Sequence, residues 1–151
     1  MKTALLLTGL ALAGLSANAF AASNCTVKLA GNDAMQYDIK TATVSASCPT
    51  ITIELTHTGK MPVTAMGHNV VISQTVLYQA IANDGLKAGA AANYVPKNDP
   101  RVIAATSLVG GGQSTKTTFP GSRLKAGGDY AFFCSFPGHA ALMRGKLIVV
   151  K

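Results

Sequence analysis

Between Thr50 and Thr56 every second residue is apolar. Ile51, Ile53 and Leu55 point one way, and Thr52, Glu54 and Thr56 the other. That alternation predicts a strand with one buried and one wet face. The same reading gives strands at Cys25–Gly31, Thr41–Ser47, Asn69–Ser73, Arg101–Ser107 and Ser114–Phe119. Two more, Asp129–Cys134 and Gly145–Lys151, close the chain. Glycine, proline and asparagine punctuate them. About eight short strands with such turns predict an all-β sandwich or barrel. One stretch breaks the pattern. Thr75–Ala82 has helical spacing at Leu77 and Ile81, and Asn83-Asp84-Gly85 is expected to end it. The excursion running on to about Pro100 reads as a packed helical flap outside the sheets.

The first residues follow neither period. Lys2 is followed by an apolar run from Ala4 to Leu15, and Ala19-Phe20-Ala21 offers small residues where a signal peptidase reads. Residues 1–21 are therefore expected to be a secretory signal peptide, and 22–151 a single domain. The apolar run is short of the ~20 residues that span a bilayer. Asn24 before Cys25 argues against a lipoprotein cleavage site.

Charge changes the picture little. The net charge is +7, and losing Lys2 with the leader leaves 12 basic residues against 6 acidic ones, or +6. The cations are scattered, with no basic run and no interleaved aromatics, so nucleic acid is not an expected partner. The charge fits solubility and steering toward an acidic partner.

The cysteines are Cys25, Cys48 and Cys134. A secreted chain would pair two of them. A Cys25–Cys48 bridge would close a loop of about two dozen residues and leave Cys134 over. Cys134 opens the stretch CSFPGHAALM, in which four residues separate it from His139 and three separate His139 from Met143. Phe136-Pro137-Gly138 predicts a tight type II turn that presents His139. Upstream, His68 lies in MGHN beside the strand that starts at Asn69. Taken singly, Met143 is an ordinary core methionine, His68 a hydrogen-bonded strand-end histidine and Cys134 an inert buried thiol. Taken together they are two imidazoles, a thiolate and a thioether. That set suits electron-transfer copper, a trigonal His₂Cys site with a long axial Met. Zinc is the chief competitor by softness, but structural zinc sites rarely use Met.

At these residues the sequence resembles the cupredoxins, the small blue copper proteins. The resemblance covers essentially the whole chain after the leader: the Cys25 and Cys48 pair, MGHN, the helical flap and the ending YAFFCSFPGHAALMRGKL. It implies a Greek-key β-sandwich or barrel. It implies one type 1 copper ion held strongly by His68, Cys134 and His139, weakly by Met143, and more distantly by the Gly67 carbonyl. Asn69 would tie the two ligand-bearing segments together, and the backbone N–H groups of Asn69 and Phe136 would donate to the Cys134 sulfur. Met35, Met61, Met66, Phe136, Pro137 and Leu142 would form an apolar docking patch, with Val63, Ala65 and Ala141 beside them. Electrons would leave through the exposed edge of His139. The implied role is a monomeric periplasmic electron carrier, with partners such as c-type cytochromes, nitrite reductase or amine dehydrogenase.

An enzyme is the contrary reading. Copper oxidoreductases that act on oxygen or nitrite need further histidine-rich sites, and after His68 and His139 only His57 remains, which reads as structural. A Cys134–His139 thiol hydrolase would show an alkylatable thiol. A copper carrier would show Met runs or a CxxC pair, and the chain has neither.

Overall fold

The computed structural model describes residues 24–151. The expected signal peptide, and the cleavage point after Ala21, lie outside the described residues. Among the described residues nine strands form two sheets. They are β1 (Thr26–Asn32), β2 (Gln36–Tyr37), β3 (Thr41–Ser45), β4 (Ile51–His57), β5 (Val71–Gln74), β6 (Ala104–Ala105), β7 (Ser114–Phe119), β8 (Tyr130–Phe133) and β9 (Arg144–Val150). One sheet runs β2-β1-β4-β7 and the other β3-β9-β8-β5-β6. The pairs β1–β4 and β3–β9 are parallel, and the other pairs are antiparallel. Among the described residues this is the expected sandwich, two open sheets that do not close into a barrel.

The period-2 pattern determines what lies between the sheets. Ile51, Ile53 and Leu55 of β4 are fully buried and share one core with Val44, Phe132, Leu147 and Val149 of the facing sheet. The Cys25–Cys48 disulfide forms at one end of this core, with a Cα–Cα distance of 5.7 Å. Cys134 is the free cysteine, and it is buried.

Three expectations need correction. The expected strand Arg101–Ser107 reduces to Ala104–Ala105, because pairing with β5 extends over only Val71↔Ala105 and Ile72↔Ala104. The helix does not stop at Asn83-Asp84-Gly85. After a 3₁₀ turn at Thr75–Leu77, helix α2 runs Tyr78–Ala88, and Gly89 at φ 75° ends it. Gly85 stays helical because it packs against the Tyr94 carbonyl, where a Cβ would stand 2.1 Å away. A short helix, α1 (Val63–Met66), was not foreseen; none of its residues is buried. As for the flap, α2 lays Ile81 and Ala82 over Val71, Phe133 and Ala140 on the outer face of the five-stranded sheet.

Candidate metal centre

Strand register brings the two halves of the site together. Val71 pairs with Phe133 across β5 and β8. Two residues beyond that pair the ladder is continued by side chains. Asn69 Oδ1 accepts the Ser135 N–H at 2.9 Å, and Asn69 Nδ2 donates to Ser135 Oγ at 2.8 Å and to the Asn93 carbonyl at 2.8 Å. His68 and Cys134, one step outside and one step inside that clamp, are thereby set side by side. The His68 backbone is held by paired bonds with Val109, at 3.0 and 2.9 Å.

The ten-residue loop closes on itself. Cys134 N–H donates to the Met143 carbonyl at 2.9 Å, and Met143 N–H to the His139 carbonyl at 2.8 Å. Gly138 turns the chain at φ 82°, ψ −13°, the third-position geometry of the expected type II turn. His139 then opens a 3₁₀ turn, His139–Ala141.

The ligand atoms of His68, Cys134 and His139 lie within 4.8 Å of one another, and all three residues are buried. Cys134 Sγ is 4.0 Å from His68 Nδ1 and 3.5 Å from His139 Nδ1. The outer nitrogen of His68 donates to the Asn32 carbonyl at 2.9 Å, which leaves the Nδ1 lone pair facing the sulfur. Nothing among the described residues bonds the outer nitrogen of His139. Yet no buried polar side-chain atom lacks a partner there, so that nitrogen reaches solvent. It is a narrow edge, since 3 % of His139 is exposed.

Burial lowers the pKa of His68, and burial with the charges of His68 and His57 brings His139 down to about 4. Both imidazoles are therefore neutral at pH 7, with lone pairs free to coordinate. Burial pushes the Cys134 thiol up to about 12, against the backbone N–H groups of Asn69 and Phe136, which donate to the sulfur. Such a thiol ionises only with a cation beside it. Neutral imidazoles, a buried sulfur primed by two donors and a buried thioether are a soft donor set that fits copper.

Met143 is fully buried. Its methyl and the His68 ring both lie 2.8 Å from the point where a Cβ on Gly31 would stand, so the thioether end lies beside the His68 ring. The Gly67 carbonyl lies 3.9 Å from Cys134 Sγ. Gly67 itself is packed under the Phe136 ring, where a Cβ would lie 3.0 Å away. His57, expected to be structural, stacks on His68 at 4.3 Å with the rings 11° from parallel. Its Nε2 bonds the Met66 carbonyl at 2.8 Å and its Nδ1 accepts the Gly59 N–H at 3.0 Å.

The expected docking patch is only partly at the surface. Leu142 is 60 % exposed and Met61 39 %, Pro137 is exposed, and Met35 and Met66 are half-buried. Phe136 is corrected: it is 9 % exposed and packs in the core, its ring against Tyr94 and His139. Sequence reasoning missed Gly31, Asn93, Ser135 and Tyr37, whose hydroxyl donates to the Asn69 carbonyl at 2.5 Å. Their roles depend on which distant segments meet, and no motif announces them.

Comparison with known proteins decides the family. Residues 23–150 match the model for copper binding proteins of the plastocyanin/azurin family. The chain belongs to this family. It is 52% identical to an azurin of Alcaligenes faecalis over 123 residues, which is 82% of this chain and 96% of that one. It is 47% identical to an azurin of Bordetella pertussis over 144 residues, 95% and 96% of the two chains. Among solved structures, an azurin from the methylotroph Methylomonas sp. strain J superposes with a TM-score of 0.81 at 39% identity, over 85% of this chain and all of that one. The chain is thus a blue copper protein of the azurin type. It carries single electrons between redox proteins, uses one type 1 copper ion and is not an enzyme.

Proposed function

We propose that His68, Cys134 and His139 are the strong copper ligands, with Met143 and the Gly67 carbonyl as weak axial contacts. The observation that carries this reading is the convergence of three buried donor atoms within 4.8 Å of one another. Copper supplies the one-electron chemistry, cycling between Cu(I) and Cu(II). The protein's part is to hold the donors nearly still as the charge changes. His68 is fixed through Asn32 and Val109, and Cys134 through the Met143 carbonyl; the Asn69 clamp ties their segments together. The N–H groups of Asn69 and Phe136 stabilise the thiolate and help set the potential.

The electron leaves through the solvent edge of His139, amid Met35, Met61, Met66, Pro137 and Leu142. Phe136 supports this surface from beneath. The weakly polar, methionine-bearing surface suits brief docking. Residues 1–21 form a signal peptide, and the monomeric domain 22–151 works in the periplasm. Its partners are redox proteins such as c-type cytochromes, nitrite reductase or amine dehydrogenase.

The test is a visible spectrum of the purified domain with one equivalent of copper(II), before and after ascorbate. An intense blue band that bleaches on reduction is expected, and Cys134→Ser should abolish it. A pale sample with Cys134 still open to alkylation would overturn the ligand assignment.

A further inference from the structure

The outer face of the five-stranded sheet is only half covered. Helix α2 packs over Val71 and Phe133, on the β5 and β8 side. The β9 side is open. There Arg144, Lys146, Ile148 and Val150 alternate with half-buried Gly145 and the core residues Leu147 and Val149, so all four point outward. Ile148 is 39 % and Val150 44 % exposed.

This face continues into the electron exit. Leu142 N–H donates to the His139 carbonyl at 3.0 Å, and the Lys40 ammonium reaches the Leu142 carbonyl at 3.4 Å. Lys40 is also tied to the strand, because its carbonyl accepts the Lys146 N–H at 2.9 Å. Arg144 is held over the Tyr78 ring, 4.7 Å from its centre, and donates to the Tyr78 hydroxyl at 2.5 Å. Arg144 and Lys146 on the outward face of β9, with the Lys40 ammonium at the Leu142 carbonyl just before that strand, make up one cationic strip that starts at Leu142.

No ion pair ties up the strip: none of its three cations is within ion-pair distance of a carboxylate among the described residues. The chain's carboxylates are engaged elsewhere, with backbone N–H groups, Lys28, Lys87 or Arg101. One carboxylate, Asp129, borders the same groove as Lys146, turned to the Thr75 hydroxyl at 2.9 Å and forming no ion pair with the strip. Uncompensated charge at the rim of a docking face steers encounter and fixes orientation.

Resting on the reading that electrons leave at His139, we propose that the partner docks off-centre, over Leu142 and the Lys40–Arg144–Lys146 strip. The partner is a redox protein whose own electron-entry edge is flanked by carboxylates. A second copy of this chain does not fit, since it would set strip against strip.

The test uses the copper-loaded protein with a c-type cytochrome of negative net charge as acceptor. Lys40→Glu/Lys146→Glu is compared with Lys28→Glu/Lys116→Glu, which makes the same charge change on the outer face of the other sheet. The strip variant should slow low-salt electron transfer about tenfold and the control about twofold at most, with the gap closing as salt screens it. Equal slowing by both pairs, or a rate indifferent to salt, would overturn the proposal. So would strip-dependent sedimentation with phosphatidylglycerol vesicles at physiological salt, or a dimer that the strip variant abolishes. Ferrocenium carboxylate, a one-electron oxidant with no net charge that is reduced to ferrocenecarboxylate as the copper site is oxidised, separates the two layers. All variants should react with it at one rate, whereas a wild-type protein that exchanges no electron with it would sink the copper-ligand reading and this docking surface together.

Discussion

Gly31 stands directly against Met143: a methyl group on the Gly31 Cα would lie 2.8 Å from Met143 Cε, and as close to His68 Cδ2. The parallel register of β1 and β4 puts it there, pairing Gly31 with His57 at the site end of both strands. Gly31 thus keeps open the space that the thioether and the imidazole share. Gly31→Ala should displace Met143 or tilt His68, and overpacking of this kind costs about 1–3 kcal/mol. Thermal melts would show the loss. The visible spectrum and the reduction potential would show the changed axial contact, which a purely global destabilisation would leave alone.

Asn69→Ala removes three hydrogen bonds at once, two of them buried. The Ser135 N–H and the Asn93 carbonyl then lose their partner, at about 1–3 kcal/mol for each group left unpaired. We expect a lower melting temperature and faster loss of copper to a chelator. A variant that melts earlier yet holds copper as firmly as wild type would show that the clamp stabilises the fold without holding the site.

The disulfide should matter to stability and not to colour. Cys25 precedes β1, and Gly31 lies near its far end, about 20 Å away at ~3.3 Å per strand residue. Replacing Cys25 and Cys48 by alanine should lower stability by about 3 kcal/mol on the chain-entropy model. The blue band of the copper-loaded variant should be unchanged, as absorption before and after the substitution would reveal.

Acid should loosen the flap. Arg101 bonds Asp99 in its own turn and Asp84 on α2, the latter at 2.7 Å, and holds both carboxyls below the usual 3.8. Groups with depressed pKa values stabilise the fold above pH 3.8, and the contribution fades as pH falls through the lower folded values. Asp84→Asn should therefore melt earlier than wild type at pH 7, with the gap narrowing toward pH 3. Melting curves across that range are the check, and a gap independent of pH would contradict it.

The β4 strand was legible because its alternation is strict and its buried face needs no partner to be recognised. The ligand set was legible because Cys134, His139 and Met143 share one loop. His68 could be added because few histidines compete with it. Asn93 and Gly31 were not legible. Strand pairing brings Gly31 to the site, and Asn93 reaches Asn69 from the end of the helical flap, 24 residues along the chain. The helix end was misread for a related reason. Asn-Asp-Gly is a local stop signal, but packing of Gly85 on the Tyr94 backbone overrides it. Phe136 was placed at the surface by its neighbours in sequence, whereas its ring turns inward onto Tyr94.

The bond between the Cys134 N–H and the Met143 carbonyl pinches the neck of the loop just where it joins β8 and β9. Everything between those two residues is thereby a cassette. Ser135, Phe136 and Ala140 bind that cassette to the clamp, the core and helix α2, so the positions open to rewriting are the exposed ones, Pro137, Ala141 and Leu142. Selection could retune the site through those few positions while the sandwich keeps its pairing.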